Sequence, residues 1–206
     1  GRYQRFGDVW RPLYAFSCKK RTMIEELFVI RHAQPDRAAR IQYNVEPGPP
    51  LTALGKMEAR QTAAWLEAHD VEYVFSSPFA RTMETADTIV DQLGLPISYV
   101  KALAEGGPGE GETRVRERVA ELLSQLDDGP LRRVAFVTHG VCIKMLLQHT
   151  TDNAIDLRTH VYDYGNCSPT AGVWHGVRRD GVWQWELLFR PTQATPMGAP
   201  ALAGQC

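Results

Sequence analysis

Cysteine is scarce in this chain, with four in 206 residues. Cys18, Cys142, Cys167 and Cys206 are scattered without the spacing of a zinc site, and such sparse usage suits the reduced thiols of a cytoplasmic protein rather than a disulfide framework. Charge of one sign is equally lacking. Lys plus Arg number 23 against 24 Asp plus Glu, a formal net charge of −1, so neither nucleic acid nor an anionic membrane surface is implied as a partner. No run approaches the ~20 apolar residues that span a bilayer, and residues 1–22 lack the apolar stretch of a signal peptide. Internal repeats are absent too. What remains, 44% hydrophobic residues over 206 positions, is enough for one globular domain with an ample core.

Apolar runs and helical patterns alternate along the chain. Leu27-Phe28-Val29-Ile30, residues 73–76 and Val134-Ala135-Phe136-Val137 read as buried strands. Residues 51–69 read as a helix capped by Thr52, with Gly55, Ala59, Ala63 and Leu66 at helical spacing; these small residues predict close packing on a sheet. Val115, Val119, Leu122 and Leu126 form the stripe of another helix, opening near Glu112-Thr113 and ended by Gly129-Pro130. Residues 141–147 continue as a helix in which Cys142 belongs to the core. Ser77 is read as a helix cap with Pro78 at the first helical position. Residues 172–178 and 182–190 flank Arg179-Asp180-Gly181 and predict a terminal antiparallel hairpin. The fold expected is α/β: a three-layer α/β/α sandwich with a mostly parallel central sheet and that terminal hairpin. Residues 1–22 are basic and read as an N-terminal extension outside the core. Residues 191–206, rich in Pro, Ala and Gly, read as a disordered tail.

Arg31-His32-Ala33-Gln34 ends the first of these strands, and Thr138-His139-Gly140 ends another. Open α/β sheets bind ligands at the carboxyl ends of their strands, so two histidines distant in sequence can share one pocket. A single strand-end His is most often a hydrogen-bonded structural residue. Arg81, in the first turn after the strand at residues 73–76, brings a further cation to the same edge and favours an anion site. Phosphoryl transfer requires a positioned nucleophile and positive charge around three equatorial oxygens. Two guanidinium forks and an imidazole supply both without a metal. Flanking arginines also depress a His pKa and keep the imidazole neutral and nucleophilic. A leaving alkoxide needs a proton and water later needs a base, roles that one carboxylate fills in turn. Glu105, with Glu110 and Glu112 as rivals, meets that requirement. His69, His149, His160 and His175 share no ligand spacing with His32 or His139, which argues against a zinc site.

In order, Arg31-His32-Ala33, Leu51-Thr52-Ala53-Leu54-Gly55 leading to Glu58-Ala59, Ser76-Ser77-Pro78 with Arg81 and Thr85-Ala86, and Thr138-His139-Gly140 resemble the signature of the histidine phosphatase superfamily, the phosphoglycerate mutase-like proteins. The resemblance spans about residues 25–190 and implies a catalytic domain over residues 23–190. It implies His32 as the nucleophile that becomes phosphorylated, Arg31 and Arg81 as phosphate ligands, and His139 as the second pocket histidine. Gly111-Glu112-Thr113 fills a triplet that follows the acid/base segment in such proteins, which places Glu105 as proton donor. Ala33 stands where Gly is usual and Gln34 where an acid is common. Neither change removes a group the chemistry needs.

The expected activity is metal-independent hydrolysis of phosphomonoesters on small phosphorylated substrates, with no cofactor. A phosphoglycerate mutase-type transfer and a non-catalytic phospho-ligand-binding relative are the alternatives. The connection between Leu93 and Glu105 is short where the mutases of the family carry an added stretch, and this favours the phosphatase branch. Substrate choice is expected from loops at roughly 35–50, 105–112 and 160–170, where Arg37 and Asn44 are candidate substrate-binding residues and Arg40 can equally face solvent. The chain is expected to work as a monomer or homodimer.

Overall fold

The computed structural model describes residues 3–6, 9–12 and 23–192. Strands β1 (Tyr3–Phe6) and β2 (Val9–Pro12) pair antiparallel as a two-stranded ladder of their own, in a stretch to which the sequence reading assigned no structure. The domain proper follows as β3 (Glu26–Arg31), α1 (Ala53–Leu66), β4 (Tyr73–Ser76), α2 (Ala80–Leu93), β5 (Ile97–Tyr99), α3 (Glu112–Asp127), β6 (Arg133–Thr138), α4 (Gly140–Thr150), β7 (Val173–Arg179) and β8 (Val182–Phe189). Its six-stranded sheet runs β5-β4-β6-β3-β7-β8. The β5/β4, β4/β6 and β6/β3 pairs are parallel, and β7 and β8 join antiparallel at one edge. This is the expected α/β sandwich with its terminal hairpin.

Side-chain alternation along the strands builds the layers. Leu27, Val29, Phe75, Val134 and Phe136 pack with Val115, Val119, Ile143 and Leu146 of α3 and α4. Phe28, Ile30, Val74, Ala135 and Val137 pack with Ala63, Leu66, Ala86 and Ile89 of α1 and α2. Strands buried on both faces read as continuous apolar runs, as parallel sheets require. Each fully buried aliphatic or aromatic side chain contributes about 1.5–3 kcal/mol, and Leu27 through Ile30 are all fully buried. Cys142 lies in the core as expected, its burial pushing the thiol up to about 11; Cys18 and Cys206 lie outside the described residues.

Helix α1 opens as read: Thr52 Oγ1 accepts from Gly55 N at 2.9 Å. A Cβ on Gly55 would sit 2.3 Å from the carbonyl oxygen of Gln34, so this small residue lets the helix start against the loop that carries His32. Helix α2 opens later than expected. Phe79, not Ser77, is its N-cap, and Ala80 rather than Pro78 is its first residue. The reason lies in the ladder: Ser77 N still donates to Val137 O across the sheet at 3.0 Å, and its hydroxyl is engaged elsewhere. Of the expected disordered tail, Pro191 and Thr192 are described, with Thr192 N donating to Gln61 Oε1 at 2.9 Å; residues 193–206 lie outside the described residues. Among the described residues no helix is long and apolar enough to cross a membrane.

Candidate active site

Four positively charged or imidazole side chains converge at the carboxyl edge of the sheet. Arg31 closes β3 and His32 follows it, Arg81 sits in the first turn of α2, and His139 caps α4 directly after β6. β3 and β6 are adjacent parallel strands, with Arg31 in register with Thr138, so the two histidines emerge side by side. Their ring centroids are 5.3 Å apart. All four residues are at most 2% exposed, an arrangement that ordinary packing does not favour for cations.

Ring protons follow from the partners. His32 Nδ1 lies 2.8 Å from the carbonyl oxygen of Ala33. A carbonyl only accepts, so the proton is assigned to Nδ1 and Nε2 keeps its lone pair. Arg81 Nη2 approaches His139 Nδ1 at 3.1 Å, and a guanidinium only donates. The His139 proton is therefore assigned to Nε2, directed at Ser77 Oγ 2.8 Å away. Burial first, and Arg81 second, hold both imidazoles well below their ordinary value of 6.5. Neutral His32 with an unprotonated Nε2 is a competent nucleophile at neutral pH.

Glu105 reaches this group from the segment after the 3-10 turn Lys101–Leu103. Its Oε2 lies 3.5 Å from both Arg81 Nη2 and His139 Nδ1. Burial raises its pKa against the opposing pull of Arg81, which keeps a proton available to higher pH than an exposed carboxyl would. The rival carboxylates are committed elsewhere. Glu110 is paired with Arg118 at 2.9 Å, and the hydrogen bonds from Arg118 hold it below the ordinary carboxylate range; Glu112 pairs with Lys144 at 2.8 Å. Arg118 also donates to Ala104 O at 2.7 Å, anchoring the backbone next to Glu105.

At the mouth, Arg37 is sandwiched between Tyr43 and Tyr164, its guanidinium carbon 4.2 and 4.1 Å from the ring centroids. Arg81 lies against Tyr43 at 4.2 Å. The stack of cations and rings thus runs from solvent to the pocket floor, and each layer is attracted to the next by the ring quadrupole. Asn44 is exposed on the turn beside Tyr43, and Arg40 is exposed beyond the short 3-10 turn Arg37–Ala39. Gln34 N donates to the buried Glu58 carboxylate at 2.8 Å, and Thr170 Oγ1 does so at 2.9 Å; Glu58 therefore braces the loop after His32 rather than the pocket. Among the described residues no group of three His, Cys, Asp or Glu is arranged to hold a metal ion.

Five site neighbours escaped the sequence reading. Tyr43 places its hydroxyl 3.4 Å from His32 Nε2, and burial raises its pKa, so it stays a donor. Ser77 was assigned to a helix cap and instead meets His139. Asp163, Tyr164 and Ser168 approach the pocket arginines from a loop flagged only by position. Ser77 lies inside a motif read for its cap and not for His139; no motif marks the other four, whose chemistry is visible only once their loops are folded over the pocket.

The sequence profile of the histidine phosphatase superfamily (branch 1) matches residues 27–114 and 104–180. The uncharacterized phosphatase PhoE of Bacillus subtilis (strain 168) is 26% identical over 154 residues, 64% of this chain and 80% of that protein. The probable phosphoglycerate mutase GpmB of Yersinia enterocolitica is 30% identical over 89 residues, and the match spans 43% of this chain and 41% of that relative. Among solved structures, Bacillus stearothermophilus YhfR superposes with a TM-score of 0.65 at 21% identity, covering 82% of this chain and 98% of that one. A mycobacterial glucosyl-3-phosphoglycerate phosphatase superposes at 0.63 and 19% identity, covering 79% and 97%. At these identities the two structures establish a shared fold.

Proposed function

Because the chain belongs to the histidine phosphatase superfamily, a family of phosphatases and mutases, we propose that it hydrolyses small phosphomonoesters through a phosphohistidine on His32, without a metal. One observation carries this reading: a buried neutral imidazole whose Nε2 keeps its lone pair feels the charge of two buried guanidiniums, Arg31 and Arg81, and lies 5.3 Å, ring to ring, from His139, which with Arg81 meets a carboxyl of raised pKa at 3.5 Å. In the first step His32 Nε2 attacks phosphorus, the P–O bond to the leaving group breaks, and Glu105 gives its proton to the departing oxygen. In the second, the Glu105 carboxylate takes a proton from water, whose oxygen attacks phosphorus as the P–N bond breaks, returning neutral His32 and free phosphate.

Arg31 and Arg81 bind the equatorial oxygens, their charge meeting the charge that develops there. The Nε atoms of both are buried with no hydrogen-bond partner among the described residues, a cost of about 1–3 kcal/mol each that an anion relieves. Tyr43 donates to the same phosphoryl group. His139 serves as a donor in the Nδ1–H tautomer, which opens to it once Arg81 Nη2 turns from Nδ1 to the bound anion. Ser77 supports that tautomer, since its hydroxyl already accepts from Phe79 N at 3.3 Å and can give its own proton to His139 Nε2. Arg37 at the mouth takes a second polar group of the substrate.

The similarity to a probable phosphoglycerate mutase favours the second reading, in which the phosphoryl group returns to another hydroxyl instead of water. Incubation with a panel of phosphorylated metabolites, phosphoglycerates included, separates the two. Free phosphate without an isomerised product, together with phosphoryl mass on His32 in intact-protein spectra at alkaline pH, is the expected result; an isomerised product without phosphate release overturns hydrolysis in favour of transfer.

A further inference from the structure

One carboxylate outside the catalytic group grips Arg31. Asp163 Oδ1 and Oδ2 accept from Arg31 Nη1 and Nη2 at 2.7 and 2.8 Å, and Ser168 O accepts from Nη1 at 2.7 Å. A guanidinium carries five N–H groups in one plane. Asp163 occupies the end fork between the two Nη atoms, and Ser168 takes the outer hydrogen of Nη1. The fork left over is the side one, formed by Nε–H and the remaining hydrogen of Nη2. Arg31 Nε is buried and has no acceptor among the described residues. The arginine is thus fixed on two edges and open on the third.

We propose that Asp163 is a positioning residue that sets the rotation of the Arg31 guanidinium, so that its Nε/Nη2 fork is the one presented bidentately to the phosphoryl group. The inference rests on Arg31 being a phosphate ligand. Two parallel N–H donors match two phosphoryl oxygens in geometry as well as charge, and the match fails if the plane turns. The Arg31 side chain is 3% exposed whereas that of Asp163 is 42% exposed, so the carboxylate reaches in from the surface to an arginine that has little room to relax. Its neighbour Tyr164, held at φ 54, lies on Arg37 in the same way. A bulky residue in that left-handed region costs about 1–2 kcal/mol, which the two arginine contacts of this turn offset.

Charge alone predicts the opposite behaviour. If Asp163 merely neutralised or blocked Arg31, its removal would leave the pocket one unit more positive and bind anions more tightly. Vanadate dissociation constants measured at fixed ionic strength on the wild type, Asp163→Asn, Asp163→Ala and Asp163→Glu separate the two. Positioning predicts at least tenfold weaker vanadate binding in Asp163→Asn and Asp163→Ala, a comparable rise in KM with a smaller change in kcat, an unshifted pH profile, and substantial recovery in Asp163→Glu. Vanadate binding equal to or tighter than wild type in Asp163→Asn and Asp163→Ala, with melting temperatures unchanged, overturns it. Vanadate binding reads the arginine without turnover, so a wild type that forms no phosphohistidine refutes the reaction and leaves this inference to stand or fall on its own data.

Discussion

Replacing Glu105 by Gln tests the proton donor while keeping the size of the side chain, at the loss of its charge beside Arg81 and His139. The amide keeps the size of the carboxyl and can still accept from Gly106 N, which now donates to Oε1 at 3.2 Å. What it loses is the transferable proton and, where Glu105 is ionised, the negative charge. Expelling a poor alkoxide without general acid help slows release by ~10²-fold or more, about 2.7 kcal/mol of barrier. A p-nitrophenyl ester has a leaving group that needs no proton, so its first step is expected near the wild-type rate. Water attack on the phosphohistidine still needs a base, so the phosphorylated enzyme accumulates and a burst of nitrophenolate precedes slow turnover. Electrostatics add a signature of opposite sign. A carboxylate ~6 Å from a bound anion opposes it by about 3 kcal/mol per unit charge at an effective dielectric constant of ~20, less once ions screen it. At alkaline pH, where Glu105 is ionised, Glu105→Gln is therefore expected to bind vanadate at least about tenfold more tightly while turning over more slowly. Stopped-flow release of nitrophenolate, intact-mass spectra and vanadate titration read the three effects. Equal losses on both classes of leaving group, with no trapped phosphoenzyme, refute Glu105 in this role.

His32→Ala is expected to abolish turnover while vanadate affinity falls by less than in Arg81→Ala, which damages binding and rate together; near wild-type activity in His32→Ala refutes the nucleophile. EDTA is expected to leave turnover intact, and a loss restored by one added divalent ion refutes the metal-free pocket. Because burial and Arg81 hold His32 and His139 below 6.5, the unfolded chain binds protons in acid that the folded one resists; stability is full above 6.5 and falls as pH drops below it toward the folded values, which thermal melts between pH 7 and 5 check. The raised pKa of Glu105 works the other way on rate: turnover of poor leaving groups falls as pH rises through that value, and a flat alkaline limb counts against it. Gly55→Ala forces a Cβ toward the carbonyl oxygen of Gln34, an overpacking cost of about 1–3 kcal/mol and a drop in melting temperature of roughly 2–10 °C; an unchanged melting curve refutes the close approach.

What the sequence made legible was whatever depends on local pattern. The apolar runs at residues 27–30 and 134–137 and the small-residue face of α1 are one-dimensional signals of burial, and Arg31, His32 and His139 follow the two runs. The start of α2 was misread because Ser77 and Pro78 obey local capping preferences that a cross-sheet hydrogen bond to Val137 overrides. Tyr43, Asp163 and Tyr164 were invisible for a different reason. Loop residues carry no periodicity, and their partners, Arg31, Arg37 and Arg81, are supplied by distant elements. Glu105 was legible through the triplet that follows it; that the rivals Glu110 and Glu112 are engaged by Arg118 and Lys144 was not.

The position of β3 in the sheet also sets the order in which the molecule is completed. It is among the first segments of the domain to be synthesised, yet both its neighbours, β6 and β7, come from the far half of the chain. Closing loops of that length costs entropy before any contact repays it, which makes such topologies slow to form. Until then Leu27, Phe28, Val29 and Ile30 form an unpaired apolar strand with two open edges, the kind of segment that associates with other chains. The same pairing event that removes this hazard brings His32 beside His139. A chain that has brought His32 beside His139 has therefore already passed the stage at which this strand is unpaired, and assembly of that pocket during refolding marks a late step rather than an early one.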